Sequence, residues 1–521
     1  MKPSVRISAR RSLAELGELY RRAEYTQAAA AIDEMSAENR SLASDAALLR
    51  ARIHLRQRNP AAALDDVARN AARFTTPRAR AEAALLSGAA YTRLGDERAA
   101  AAQFKRAATL APDDERLAHE LRYQRALGAW IARRLDLAEK LLDELELLGP
   151  SDDLLLEARV LRGAVAASRE RLPEQGAILL DALRLMRAMP DPPALAHATI
   201  ASQIAYLARE MPSAALRDAA YAEHSAVPWT ADLGELHFTM LRAVGWRHAL
   251  DGDYFNAFRR LKDASAAAPS DAWRVMASCD RAYFATVLGE RRWAEQELSD
   301  ADELANSVVW TALDAEERFA LPVLAELFAP RDPALALSYV ARYKDVGKRF
   351  ARTLASSDDR RVIAMESYSF GIVQQALGES DEAVRLLRES WKIYDRIGYD
   401  WRAGRAAAAL AAVTGDDAWK EKAAQKLRPY GRSWLVSSAS TNALPAPAEL
   451  AALTPAQRAV YEQLLRGLST AQIAAEQGRS EYTIRNHVKA IFKAFRVRSR
   501  PALIARAIGT AGPRAAGAEL S

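Results

Sequence analysis

The sequence predicts an all-α protein: a long stacked array of helix pairs followed by a small four-helix unit. Three observations carry this prediction. A pattern of small and bulky apolar residues returns through the first 430 or so positions, mostly every 34 to 38 residues. The last seventy or so residues hold two capping boxes, a three-residue turn and a basic helix. No alternation of strand and helix patterns appears anywhere.

The array is read first. Gly88, Tyr91, Gly95, Ala100, Phe104, Ala107 and Pro112 set out one helix pair, and Gly245, Gly252, Ala257, Leu261, Ala264 and Pro269 repeat its intervals. Gly371, Gly378, Ala383 and Leu387 repeat the core of the pattern. Weaker copies are anchored at Gly17, Ala51, Ala126, Gly163, Ala282 and Ala408, for about eleven pairs in all. Small residues fit where helix axes approach closely, and bulky ones fill the gap between hairpins. These intervals resemble the tetratricopeptide repeat. That resemblance implies a superhelix whose concave surface takes a peptide, a protein or a small molecule. Nine of the ten tryptophans lie between Trp229 and Trp434. Any that line the concave surface would place an effector site in the second half, whereas Trp293 holds a position that normally packs inside.

From Ser437 to Pro447 small polar residues precede two prolines, a composition that predicts a flexible and then stiff linker. The expected divisions are an array over 1–436, a linker over 437–450, a helix-turn-helix unit over 451–510 and a disordered tail over 511–521.

In the last unit Thr454 and Gln457 form a capping box with Pro455 at the first helical position, and Val460, Leu464 and Leu465 follow at helical spacing. Ser469 and Gln472 repeat the box and open a second helix with Ile473, Ala474 and Ala475 facing inward. Gly478 ends it, and after Arg479 the N-cap Ser480 starts a third helix. There Ile484, Val488, Ile491 and Phe495 make one buried stripe, opposite Arg485, Asn486, Lys489 and Lys493. A recognition helix presents such side chains to base edges, where Arg suits guanine and Asn suits adenine. A fourth helix is expected from near Ser499, burying Leu503, Ile504 and Ala507.

The order Leu453-Thr454-Pro455, Gly467 to Ala474, Ser480 to Val488 and Val497 to Arg500 resembles the LuxR/GerE class of DNA-binding domains from Leu453 to about Ile508. The resemblance implies that Arg485, Asn486 and Lys489 face bases. It also implies that Thr470, Ser480, Thr483, Lys493, Arg498 and Arg500 lie on the DNA backbone and that His487 packs within the domain. Two copies on double-stranded DNA would pair through Ser499 to Ile508, with RNA polymerase a further candidate partner. Gln457 and Gln472 replace the family's usual glutamates, Arg479 an apolar turn residue, and Arg496 a helix-ending glycine. The whole chain resembles the sensor arm and head of MalT-like regulators without their nucleotide-binding module, so control would pass through an effector or protein partner on the array.

Charge agrees with this division. From Leu453 onward eleven Lys and Arg face four Asp and Glu, a balance of +7 within a total of +6, which leaves −1 for the rest. Basic charge is what steers a protein to phosphates. The single cysteine, Cys279, excludes an intrachain disulfide and fits a reducing compartment. No signal peptide and no run of ~20 apolar residues appears, so a cytoplasmic protein with no membrane contact is expected. No phosphate-cradling G-x-x-x-x-G-K-S/T loop, metal-ligand spacing or nucleophile constellation is present. The chain therefore reads as a non-enzymatic regulator without a cofactor. The alternative is an interaction scaffold whose head docks another regulator; it would not need the basic residues from Arg485 to Arg500.

Overall fold

The computed structural model describes residues 13–38, 43–287, 290–312, 317–350, 360–430, 453–465, 468–497 and 503. These residues are helical or in turns, with no strand among them. The helices are α1 (Leu13–Arg21), α2 (Tyr25–Glu38), α3 (Ala43–Arg56), α4 (Pro60–Arg69), α5 (Pro77–Leu94), α6 (Glu97–Leu110), α7 (Glu115–Ile131), α8 (Leu135–Leu147), α9 (Asp152–Ser168), α10 (Leu172–Ala188) and α11 (Ala194–Glu210). They continue as α12 (Ala214–Ala226), α13 (Gly234–Asp251), α14 (Tyr254–Ala267), α15 (Asp271–Val287), α16 (Arg291–Ser307), α17 (Ala320–Phe328), α18 (Pro333–Phe350), α19 (Arg360–Ala376), α20 (Ser380–Ile397), α21 (Asp400–Thr414) and α22 (Asp417–Leu427). Three more, α23 (Pro455–Leu465), α24 (Thr470–Gln477) and α25 (Glu481–Ala494), form the C-terminal domain. Among the described residues α1/α2, α3/α4, α5/α6, α7/α8, α9/α10, α13/α14, α15/α16, α17/α18, α19/α20 and α21/α22 pack as successive pairs.

Two of the turns inside the pairs follow from two adjacent residues, a glycine and an aspartate. Gly95 takes φ +78, the left-handed conformation that ends α5, and the next residue, Asp96, caps α6 by accepting from Ala99 N at 2.9 Å. Gly252 and Asp253 repeat this at the start of α14, where Asp253 accepts from Asn256 N at 3.2 Å. Glycine adopts this conformation without the Cβ clash that penalises other residues.

The chain forms two compact units, Met1–Gln203 with Ala226–Gly234, and Ile204–Ser225 with Glu235–Ser521. In unit 1 a Cβ at Gly88 of α5 would lie 2.4 Å from Phe104 Cε1 of α6. In unit 2 the same relation holds for Gly371 and Leu387 Cγ at 2.8 Å and for Gly245 and Leu261 Cγ at 3.1 Å. In each pair the bulky residue stands sixteen positions after the glycine, so close approach of two axes explains both halves of the repeated pattern.

The faces built by the first helices of the pairs differ in chemistry between the two units. Unit 2 is filled by its own aromatic and charged side chains. Trp246 and Trp401 lie 5.0 Å apart between ring centres. Arg405 pairs with Glu326 and stacks at 4.8 Å on both Tyr283 and Tyr368. Buried Glu210 accepts from Trp401 Nε1 at 2.9 Å, Arg402 Nε at 2.7 Å and Arg209 Nε at 2.8 Å, and two arginines hold its carboxyl down at about 2. Trp246, Trp293, Trp310, Trp401 and Trp419 are buried, so these tryptophans are core and do not line an open surface. Trp434 lies outside the described residues. In unit 1 this face is ionic. Arg52 of α3 bonds Glu82 of α5 at 2.9 Å and Glu120 of α7 at 3.0 Å, while Arg56 bonds Glu157 of α9 and donates to Tyr20 Oη at 2.9 Å.

Candidate nucleic-acid interface

Each described helix of the C-terminal domain starts at a side-chain cap. Thr454 Oγ1 accepts from Gln457 N at 3.2 Å, and Gln457 Oε1 accepts from Thr454 N at 3.0 Å. Ser469 and Gln472 make the same reciprocal pair at 3.2 and 2.9 Å. The glutamines that replace glutamate thus close both boxes, because an amide oxygen accepts as a carboxylate does. Gly478, at φ +61, ends α24, and Ser480 Oγ caps α25 by accepting from Thr483 N at 3.1 Å.

The domain core gathers Val460, Tyr461, Leu464, Ile473, Ala474, Ile484, Ile491, Phe495 and Leu503, with Tyr461 stacked on Phe495 at 5.1 Å. Val488 completes the expected stripe half-buried. One inward placement is corrected: Ala475 is exposed, because two positions along a helix turn a side chain about 200° away from Ile473. The Leu465 side chain and the fourth helix, apart from buried Leu503, lie outside the described residues, as do Arg498 and Arg500.

Arg485, Asn486, Lys489 and Lys493 are all exposed on α25. The Arg485 side chain is 64% exposed and bonds Glu481 Oε1 at 2.8 Å. Thr470 Oγ1 of α24 donates to that same oxygen at 3.1 Å. The Arg485 bond, and then the Thr470 bond, hold the Glu481 carboxyl below the usual range. Thr483 Oγ1 stands 2.8 Å from Ser480 Oγ, and Arg479 Nη1 reaches half-buried His487 Nε2 at 3.5 Å. Arg496, where the family has a helix-ending glycine, takes that glycine's left-handed conformation with φ +52.

Sequence reasoning missed two residues. Glu481 was detectable, because it stands four positions before Arg485. Tyr482, 75% exposed, lies three, four, seven and eleven positions before Arg485, Asn486, Lys489 and Lys493 and so shares their face. An aromatic at helical spacing with the basic residues was its signal.

No group of three His, Cys, Asp or Glu able to hold a metal occurs among the described residues, and none of their helices is long and apolar enough to cross a membrane. Cys279 is buried, which pushes its thiol up and away from reactivity.

The family profile described as "Bacterial regulatory proteins, luxR family" matches residues 451–507. No curated protein sequence matches the chain. Among solved structures the chain is similar to the apo form of the quorum sensor NprR from B. thuringiensis, at 12% identity, TM-score 0.42, over 68% of this chain and 97% of that one. It is also similar to a Rap protein complexed with competence and sporulation factor, at 10% identity, TM-score 0.36, over 68% and 96%. A third is the P58(IPK) TPR domain, at 15%, TM-score 0.22, over 78% and 98%. Residues 451–507 are therefore a LuxR-type helix-turn-helix domain, carried by a chain whose other described helices form an array of helix pairs.

Proposed function

We propose that the protein is a cytoplasmic, non-enzymatic transcriptional regulator that reads a specific site on double-stranded DNA and takes an effector or protein partner on its array. The observation that carries this reading is the exposed polar and cationic face of α25 in a LuxR-type domain. Arg485, Asn486 and Lys489 contact base edges. Tyr482 extends their stripe, its ring suited to a thymine methyl. Thr470, Ser480, Thr483, Lys493, Arg498 and Arg500 hold the backbone, which fixes register. Two copies bind a two-part site through the segment from Ser499 to Ile508, with RNA polymerase as a further partner.

The test is binding of the full chain to duplex DNA across a salt series. Three cationic backbone contacts per domain, Lys493, Arg498 and Arg500, on each of two copies predict a slope of about −5 in log affinity against log salt. A protein that binds no duplex at low salt, or whose affinity ignores salt, overturns the reading.

A further inference from the structure

Arg479 is a cation at the turn between α24 and α25 that the proposed DNA contacts leave unused. It stands where the family has an apolar residue, between Gly478 at φ +61 and the N-cap Ser480, and it is exposed. The backbone of the turn is fixed, since Arg479 N donates to Ala474 O at 3.0 Å. The two carboxylates nearest to it in sequence are engaged elsewhere. Glu476 accepts from Gln463 Nε2 at 3.0 Å, and Glu481 accepts from Arg485 and Thr470. Arg479 Nη1 instead reaches His487 Nε2 at 3.5 Å. A guanidinium only donates, so the ring nitrogen is the acceptor of this pair. An imidazole carries no negative charge, and the contact therefore orients the fork without cancelling its charge.

The position of His487 on α25 decides where the fork is drawn. At roughly 100° per residue, Ser480, Thr483 and His487 fall on one flank, between the row from Tyr482 to Lys493 and the buried stripe from Ile484 to Phe495. Ser480 Oγ and Thr483 Oγ1 lie 2.8 Å apart on that flank. A helix with its side chains is about 10 to 12 Å across and the major groove is about 12 Å wide. A helix that reads base edges thus nearly fills the groove, and its flanks meet phosphates. Arg479 lines up with the two hydroxyls that the proposed function places on the DNA backbone.

We infer that Arg479 is a further DNA-binding residue, a fourth cationic contact per domain that grips a phosphodiester beside Ser480 and Thr483, with His487 aiming its fork. A guanidinium matches two phosphate oxygens through parallel N–H bonds, whereas an ammonium offers a point charge. Contacts to phosphate carry no sequence information. Arg479 therefore adds affinity on every duplex and none of the preference that Arg485, Asn486 and Lys489 supply.

This inference rests on the proposed reading of duplex DNA, and its test separates the two. Binding of the full chain to a pool of duplexes of random sequence is measured across a salt series, and the bound sequences report base preference. With Arg479 added to Lys493, Arg498 and Arg500 on each of two copies, the slope of log affinity against log salt steepens from about −5 to about −7. Arg479→Leu restores an apolar side chain to the turn and keeps the domain folded, which amide exchange in α25 checks. It returns the slope to about −5 and lowers affinity by one factor on all duplexes. Arg479→Lys keeps the slope of about −7 with lower affinity, because the charge remains while the fork is lost. His487→Leu also keeps the slope but loses about 2- to 10-fold in affinity, since the fork must then be ordered on binding. A wild-type slope of about −5 that Arg479→Leu leaves unchanged overturns the inference while the DNA-reading proposal stands. Altered base preference in Arg479→Leu overturns the phosphate assignment, and wild-type affinity in His487→Leu overturns the aiming role. A wild-type chain that binds no duplex overturns the DNA reading itself, and this inference with it.

Discussion

Gly88 and Gly163 occupy the same place in two repeats of unit 1, yet replacing each by alanine should move stability in opposite directions. In isolation Gly→Ala in a helix interior gains about 1 kcal/mol. At Gly163 the new Cβ would sit 3.5 Å from Leu179 Cδ2, ordinary van der Waals contact, so that gain of ~1 kcal/mol survives. At Gly88 the new Cβ would lie 2.4 Å from Phe104 Cε1 and 2.5 Å from Cδ1. The ring cannot retreat easily, because Ala81, Ala84, Leu85, Ala100 and Ala107 are packed in the same cluster. Overpacking costs about 1 to 3 kcal/mol, and contact this short belongs in the upper half, so the net loss is ~1 to 2 kcal/mol. The two variants should thus differ by ~2 to 3 kcal/mol, roughly 30- to 150-fold in local opening. An array of repeats need not unfold in one step. Native-state amide exchange in α5 and α9 of the full chain is therefore the assay. Phe104→Leu in the Gly88→Ala background should recover part of the loss. Equal protection in both alanine variants would refute the argument that axis approach dictates the glycine.

Arg485→Ala should cost ~1 to 3 kcal/mol on the cognate site and relax preference at one base pair, measured by binding to a randomised duplex pool; an equal loss on every sequence would make Arg485 a backbone contact. Glu481→Gln should raise affinity severalfold on all duplexes at low salt while lowering that same preference, because it removes an anion near the phosphates and frees Arg485. With the folded carboxyl at about 2 and an unfolded value near ~4.3, Glu210 contributes ~3 kcal/mol that is full above pH ~4.3 and lost as pH falls toward ~2. Acid unfolding of unit 2, followed by amide exchange, should lose this pH window in Glu210→Gln. Arg496→Gly should raise the stability of the C-terminal domain by about 0.5 to 1 kcal/mol, since Arg496 holds a left-handed conformation at a cost of ~1 kcal/mol; no gain in exchange protection of α25 would show that the turn tolerates a side chain without strain.

The array was legible because its spacing has a local cause. A glycine on one helix and a bulky residue sixteen positions on are forced by the same close approach, so both recur in the sequence. The capping boxes were legible for the same reason: Thr454 with Gln457 and Ser469 with Gln472 are three positions apart and meet directly. The ionic face of unit 1 was not legible. Arg52 finds Glu82 and Glu120 at separations of 30 and 68 residues, and Arg56 finds Glu157 at 101; nothing local in an arginine says which distant glutamate it will reach. The fate of the tryptophans lay between these cases. Trp293 was placed inward by its repeat position, and burial agrees, but Trp401 is covered by partners distant in the chain, among them Trp246 and Glu210, the latter 191 residues earlier.

The recognition face shows why residue types alone under-describe such a site. A fork on an exposed helix would sample many orientations, and binding would have to offset that lost freedom. In this domain Glu481 restrains Arg485, and Thr470 restrains Glu481 from the preceding helix. The scaffold and recognition helices therefore share one carboxylate. The tether uses one N–H of Nη2, whereas a guanidinium has five donors and a guanine edge needs two. Under the proposed function Glu481 thus orients Arg485 before DNA arrives without blocking it. Its negative charge, at the N-terminal end of α25, suits the helix dipole yet opposes the phosphates. Under that same reading the domain accepts weaker attraction to any duplex in exchange for an arginine already aimed, the balance that a site-specific reader requires and a nonspecific basic helix does not.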